Sequence, residues 1–115
     1  MIQIISEQIT LSEISKITKE HLEDFIKAVV DVEKEIIAIG GDLHADEEVT
    51  LLESGSIQQN LWGINLYPDK SADEWIEFDS MINIRPRQNN RSRDVEDPAI
   101  KQKILQVVNN LVTRQ

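Results

Sequence analysis

Residues 26–39 constrain the fold most strongly, because the spacing of apolar residues changes at Ile26 from the helical period of the preceding segment to the period of a β-strand. In the first half, Ile26, Ala28, Val30 and Val32 alternate with Lys27, Val29, Asp31 and Glu33, as expected for a strand with one buried face. The second half, Ile36–Ile39, is apolar on both faces, which favours a strand inside a sheet. Because only residues 33–35 separate the halves, we predict a tight turn between antiparallel strands.

Residues 61–85 predict a second hairpin. Leu61–Tyr67 forms one strand, residues 68–74 form the loop and Trp75–Arg85 forms the other strand. If Tyr67 pairs with Trp75, one face is core. That face carries Trp62, Ile64, Leu66, Ile76, Phe78, Ile82 and Ile84. The opposite face is polar, with Gly63 leaving open space, and it carries Asn65, Glu77, Asp79, Asn83 and Arg85.

The first and last helices are predicted from their start signals. Thr10 and Glu13 form a capping box, so the first helix begins at Leu11. Asp97 and Pro98 are an N-cap and a first helical residue. The closing helix has an apolar stripe at helical spacing, made of Ile100, Ile104, Val107, Val108, Leu111 and Val112.

A middle helix is expected after Gly40-Gly41. Asp46 is placed to cap it, and it runs to about Glu53 before Gly55 stops it. The element order is therefore strand, helix, two strands, helix, two strands, helix. Since both hairpins demand antiparallel pairing, we predict an α+β fold. It has about five strands in a largely antiparallel sheet, with the helices packed mainly on one face.

Length and composition fit one domain over residues 1–115, with 40% hydrophobic and 29% charged residues. The absence of cysteine excludes disulfides, thiolate metal sites and a cysteine nucleophile. The first residues lack the basic start and apolar run of a signal peptide, and no stretch approaches the about 20 apolar residues of a membrane span. We therefore expect a cytoplasmic protein with no membrane partner and no cofactor.

The charge is strongly acidic but unevenly placed. A net charge of −9 disfavours nucleic acid as a partner, because phosphates attract basic surfaces. Residues 1–84 hold 18 Asp or Glu against five Lys, a balance of −13. Residues 85–93 hold four arginines and no acid, a balance of +4. This arginine segment, residues 85–93, is the least ordinary feature of the chain.

The arginine segment suggests a binding site. Arg85, Arg91 and Arg93 offer bidentate donors to a phosphate or carboxylate, and Asn65 and Asn83 add hydrogen bonds. We therefore predict a binding or interaction module for a small anionic ligand or an acidic peptide, and we expect a homo-oligomer.

A competing interpretation gives the arginines a structural role, in which they neutralise the protein's own acids. Those acids are Asp94, Glu96 and the carboxylates of residues 75–85. Paired charges of this kind commonly hold a long loop in place. The sequence leaves both interpretations open.

A second candidate site surrounds His44. Asp42 and Asp46–Glu48 provide carboxylates that, with the imidazole, could bind a divalent ion, and His44 with Asp46 is the weak metal candidate. The spacing matches no established metal motif, and a solvated acidic helix start explains the same residues. His44 with Glu77 or Asp79 is the candidate catalytic set of an alternative function, a small hydrolase or toxin-type nuclease.

Several long motifs resemble a small bacterial family of proteins of unknown function. They are GGDLHADEE at 40–48, LWGINLYP at 61–68, WIEFDSMINIRP at 75–86, NRSR at 90–93 and VEDP at 95–98. The resemblance covers nearly the whole chain. It implies no activity, ligand or partner, because the family has none assigned.

Overall fold

The computed structural model describes residues 1–114, in which a central antiparallel sheet carries three helices. The strands are β1 (Gln3–Ile5), β2 (Ile9–Thr10), β3 (Ile26–Asp31), β4 (Ile36–Ile39), β5 (Leu61–Leu66), β6 (Ile76–Glu77) and β7 (Val112–Thr113). The helices are α1 (Leu11–Glu20), α2 (His44–Glu53) and α3 (Pro98–Leu111). Five strands form the sheet in the order β1-β4-β3-β5-β6, and β2 pairs with β7 in parallel. The predicted α+β fold is confirmed.

Helices α1 and α3 pack on one face of the sheet and close the main core. Their start signals are present as predicted. The Glu13 N–H donates to Thr10 Oγ1 over 3.1 Å, and the Ala99 N–H donates to the Asp97 carboxylate over 2.8 Å. Each cap satisfies backbone N–H groups that lack a partner inside the helix. Val112 leaves the predicted helical stripe and pairs with Ile9 in the small second sheet.

Helix α2 lies on the opposite face, where it buries a smaller cluster of Val29, Ala38, Leu51 and Leu61. The expectation of only one buried face for residues 26–32 was therefore wrong, since Val29 is fully buried. The prediction of the start of α2 was also wrong. The helix begins at His44 rather than after Asp46, and its N-cap residue, Leu43, provides no side-chain hydrogen bond. None of the helices in residues 1–114 combines the length and apolar character needed to cross a bilayer.

The predicted strand 75–85 is much shorter than its alternating sequence suggested. Its register was right, since the Tyr67 N–H donates to the Trp75 carbonyl over 2.8 Å. Pairing nevertheless ends at Glu77, and residues 81–83 form a 3₁₀ turn. The predicted core face therefore divides: Ile82 packs in the second cluster and Ile84 is exposed.

Gly63 explains why the chain leaves the sheet at this point. A β-carbon built on Gly63 would lie 2.5 Å from Ser80 Cβ, so the space above Gly63 is filled. The expectation of open space there was wrong. Beside it, the Gly63 N–H donates to Asn83 Oδ1 over 2.8 Å, and Asn83 Nδ2 donates to the Gly63 carbonyl over 3.0 Å. The Asn83 amide thus takes the place of a backbone neighbour at the edge of β5.

Candidate functional site

A cleft of about 520 Å³ opens on the α2 face of the sheet, between the start of α2 and residues 77–82. Its position follows from the fold, because α2 covers one part of this face and the turn over Gly63 covers another. Among its lining residues are Phe25, Lys27, His44, Asn65, Tyr67, Glu77, Asp79, Met81 and Arg93. The cleft therefore brings together His44, Asn65, Glu77, Asp79 and Arg93 from the residues predicted for function. This size is ordinary for a small-molecule site.

The floor of the cleft is one row of residues across three strands. Lys27 on β3 is opposite Asn65 on β5, and Asn65 is opposite Glu77 on β6. Register partners project from the same face of a sheet, so all three side chains lie on the α2 side. Adjacent strands are about 4.8 Å apart, which places the Lys27 and Glu77 backbones about 10 Å from each other. Within residues 1–114, neither Lys27 nor Glu77 forms an ion pair.

Asn65 is held firmly by its amide nitrogen. Asn65 Nδ2 donates to Glu77 Oε1 over 2.8 Å and to the Asp79 carbonyl over 3.2 Å, while the Tyr67 hydroxyl donates to the same Glu77 oxygen over 3.1 Å. Asn65 is only 6% exposed, and its Oδ1 atom is buried without a hydrogen-bond partner. An unpaired buried acceptor is costly and uncommon in native proteins. Among residues 1–114, Asn65 Oδ1 is one of five buried polar side-chain atoms without a partner, and it is the one whose side chain lines the cleft.

Arg93 supplies positive charge at the side of the cleft. Its Nε donates to Asp79 Oδ1 over 2.5 Å, and its Nη1 lies 3.6 Å from Met81 Sδ. Both members of the ion pair remain about half exposed, at 54% for Arg93 and 43% for Asp79. Exposed pairs are weak, so a ligand can compete for Arg93 at little cost.

Lys27 is the cation that sequence reasoning missed. It is an ordinary polar residue in an alternating strand, and nothing in the local pattern indicates that α2 leaves it uncovered. Its Nζ lies 5.2 Å from the centroid of the Phe25 ring, which stacks on Tyr67 at 5.2 Å. These rings form the next row of the same face, since Phe25 and Tyr67 flank Lys27 and Asn65 at two-residue spacing. The cleft therefore has one aromatic wall.

His44 is the first residue of α2 and lines the cleft while being largely buried. Its Nε2 lies 2.7 Å from the Ile64 carbonyl oxygen. Because a carbonyl only accepts, Nε2 carries the proton, and Nδ1 holds the lone pair in the neutral ring. Burial lowers the pKa of His44 below its usual value, and the hydrogen bond to Ile64 opposes that shift. The imidazole is therefore neutral at physiological pH.

The two ends of the arginine segment have different surroundings. Arg85 donates through Nη1 to the Gln58 carbonyl over 2.6 Å and through Nη2 to the Leu61 carbonyl, and its guanidinium carbon lies 4.2 Å from the centroid of the Trp62 ring. Burial lowers the pKa of the Arg85 guanidinium. Its contacts tie the segment to the start of β5. Arg85 does not line the cleft.

The remaining predicted residues in this region also lie outside the cleft lining. Arg91 is exposed, and its backbone N–H donates to the Glu96 carboxylate over 2.8 Å. Asn83 is fully buried against Gly63. Asn90, also buried, donates through Nδ2 to the carbonyls of Asn83, Ser92 and Asp94. These contacts fold the segment back on itself.

The acids near His44 do not form a metal site in the part of the chain that the structure describes, where no group of three or more potential ligands comes together. Asp46 is exposed. Glu47 is fully buried, its Oε2 accepts from the Gly41 N–H over 3.1 Å, and its Oε1 has no partner. Burial raises the pKa of the Glu47 carboxyl to about 9. Glu47 is therefore protonated at neutral pH.

Comparison with known proteins identifies a family. The family model described as "Protein of unknown function (DUF5674)" matches residues 3–111, so the chain belongs to that family. This confirms the resemblance to a family of unknown function. Neither a curated protein nor a solved structure was found to match the chain.

Proposed function

We propose that this member of the DUF5674 family binds a small anionic ligand in the cleft, with Lys27 and Arg93 as the residues that hold the anion. The observation that carries the proposal is the position of Lys27. It lies in the cleft without an ion-pair partner among residues 1–114, in a chain whose net charge is −9. A lysine surrounded by so many acids, yet paired with none, is available to a ligand.

Arg93 supports the same proposal in a different way. Its guanidinium lies at the cleft and contacts one half-exposed carboxylate, Asp79. A phosphate or carboxylate can displace Asp79, because a bidentate hydrogen-bonded anion is a stronger partner than an exposed single contact. The structural interpretation, in which the arginines neutralise the protein's own acids, fits the Arg93–Asp79 pair, and the present proposal is that a ligand takes the place of Asp79. Arg85 has a different structural role, because its partners are carbonyl oxygens.

The proposal is tested by titrating the protein with inorganic phosphate and with short carboxylates, using amide resonances to measure affinity. We expect Lys27→Gln and Arg93→Gln each to weaken binding by about tenfold, the usual loss for one charge-assisted hydrogen bond. Arg87→Gln is the matched control, because it makes the same charge change at an exposed arginine outside the cleft. Equal weakening in all three variants would show only a general charge effect and would contradict the proposal.

A second candidate function, the hydrolase or toxin-type nuclease, is favoured by His44. A buried neutral imidazole in a cleft, with the Asp79 charge raising its pKa and Lys27 and Arg93 lowering it, has the surroundings of a general base. The test is turnover of model phosphodiesters and esters by the native protein and by His44→Gln. Turnover that requires His44 would support this function. Ligand binding without turnover would leave binding as the only function supported.

The wider setting of the protein is also part of the proposal. We expect it to act in the cytoplasm, where small phosphates and carboxylates are abundant. Binding of an acidic peptide and formation of a homo-oligomer remain predictions from the sequence. Titration of the same variants with an acidic peptide tests peptide binding, and light scattering tests the oligomeric state.

A further inference from the structure

We infer that the ligand is a small zwitterion, whose ammonium group donates to Asn65 Oδ1 and pairs with the Glu77 carboxylate while its anionic group lies at Lys27 and Arg93. This inference rests on the proposed anion binding and adds the chemistry of the opposite end of the ligand. The row Lys27, Asn65, Glu77 supports it. Within residues 1–114, the lysine and the carboxylate at its two ends form no ion pair, and Asn65 Oδ1 between them accepts no hydrogen bond.

The Asn65 amide has one orientation that its neighbours allow. Its nitrogen lies against Glu77 Oε1 and the Asp79 carbonyl, both of which only accept hydrogen bonds. Exchanging the amide oxygen and nitrogen would place an acceptor against two acceptors, so the assignment is fixed by its neighbours. Oδ1 is consequently the unpartnered atom, in a side chain that lines the cleft. Less than 1 Å² of Oδ1 is exposed, so a ligand donor reaches it when a neighbouring side chain shifts. Its complement on a ligand must be a donor.

The surroundings of Asn65 favour a positively charged donor. Asn65 and Tyr67 both use their donors on Glu77, which leaves this wall of the cleft rich in acceptors. Glu77 Oε2 accepts no hydrogen bond from within residues 1–114, and the carboxylate has no cationic partner there. An ammonium group satisfies both the carboxylate and the amide oxygen, since it has three donors and a positive charge. A neutral hydroxyl would leave the charge of Glu77 unpaired.

The spacing of the row sets the size of the ligand. Lys27 and Glu77 are two strands apart, so their backbones are separated by about 10 Å and Asn65 lies between them. The two side chains do not meet in an ion pair. A short molecule with opposite charges a few bonds apart fits between them and would neutralise both. Phe25 and Tyr67 provide an aromatic wall beside its aliphatic part.

Three matched series of probes test the inference. The first contains β-alanine, γ-aminobutyrate and ε-aminocaproate, which differ in the separation of their charges. The second contains the corresponding carboxylates without an amine, and the third contains the N-trimethylated amino acids, which keep the positive charge but have no N–H donor. We expect the best amino acid to bind at least about tenfold more tightly than its carboxylate and its trimethylated counterpart, because each lacks a charge-assisted hydrogen bond.

Glu77→Gln separates the charge at this end of the cleft from the fold. The substitution keeps an acceptor for Asn65 and Tyr67 but removes the negative charge, so we expect loss of the preference for the amino acid with carboxylate binding retained. Glu74→Gln is the control, since Glu74 is exposed and lies outside the cleft. Equal affinity for all three series would overturn the zwitterion inference and leave anion binding intact. If no probe binds, the proposed function itself fails.

Discussion

Arg85 and Arg93 bracket the same basic segment, yet their guanidinium groups have different kinds of partners. Arg85 donates to backbone carbonyls and stacks on Trp62, so it holds the chain together. Arg93 lines a cleft and contacts one half-exposed carboxylate, Asp79. The asparagines differ in the same way, because Asn83 uses its amide oxygen and nitrogen internally and Asn65 leaves Oδ1 unpaired. The same residue type therefore stabilises the fold at Arg85 and Asn83 and lines the cleft at Arg93 and Asn65. An unpaired polar atom does not by itself separate the two groups, since Arg85 Nε is also buried without a partner.

The largest expected effect comes from removing the side-chain amide of Asn83. Asn83→Ala removes the hydrogen-bond partners of the Gly63 N–H and the Gly63 carbonyl, and it removes one of two donors to the Arg93 carbonyl, which keeps the hydrogen bond from the Ser80 N–H. We expect a loss of about 4 kcal/mol in the free energy of unfolding, since each orphaned buried group costs about 1–3 kcal/mol. Urea unfolding measures it. A loss below about 1 kcal/mol would mean that Asn83 does not replace a strand neighbour.

Glu47 provides the next prediction, because it is a buried group with one satisfied and one unsatisfied oxygen. Its folded-state pKa of about 9 is above the ordinary value of 4.5, so the folded protein keeps a proton that the unfolded chain releases. Stability therefore falls as the pH rises between these two values. We expect Glu47→Gln to stabilise the protein by an amount on the order of 3 kcal/mol near pH 8 and by little near pH 4.5.

Chemical denaturation of both proteins across this pH range measures the effect. Glu53→Gln serves as the control, because Glu53 lies on the same helix and is exposed. A difference between native protein and Glu47→Gln that does not change with pH would contradict the assignment of a protonated buried carboxyl.

The two arginines themselves give a direct comparison of stability. Arg85→Met keeps an aliphatic contact with Trp62 but removes the hydrogen bonds to the carbonyls of Gln58 and Leu61, so we expect a loss of about 2 kcal/mol. Arg93→Met should cost less than about 1 kcal/mol, because its ion pair is exposed. Thermal and urea unfolding of the two variants decide the point. The opposite ranking would reverse the assignment of roles.

The smallest expected effect concerns Asp79, the internal competitor for Arg93. Asp79→Asn removes the negative charge beside the guanidinium, so we expect about threefold tighter binding of phosphate or carboxylate. The change in stability should stay within about 0.5 kcal/mol. Asp73→Asn makes the same charge change at an exposed residue outside the cleft. Weaker anion binding in Asp79→Asn would indicate that Asp79 positions Arg93 for the ligand.

Local signals in the sequence predicted much of the fold. Capping depends on residues three apart, as in Thr10 with Glu13, and the register of the second hairpin depends on a short loop between Tyr67 and Trp75. Features set by distant contacts were not predictable in this way. Val29 is buried because α2 crosses over it, and the trace of that crossing within residues 26–32 is only that Val29 is apolar on the otherwise polar face of the strand.

The end of β6 and the set of residues that line the cleft could not be predicted from the sequence for the same reason. The alternation of residues 76–84 continues past Glu77, but Ser80 and Asn83 pack on Gly63 and take the chain out of the sheet. A glycine in a strand, with Ser and Asn in the segment opposite, was a signal of close approach that the alternation concealed. Lys27 gave no local signal at all, because what distinguishes it is that α2 leaves it uncovered in the cleft.

Binding in the cleft is tested most directly by a map of amide chemical shifts during titration with inorganic phosphate and, separately, with γ-aminobutyrate. We expect saturable shifts centred on Lys27, His44, Asn65 and Arg93, with residues 85–90 little changed. Arg93→Gln should weaken both titrations, whereas Arg87→Gln should not. Saturable shifts centred on residues 85–90, or no saturable shift with either probe, would contradict the assignment of the cleft as the binding site.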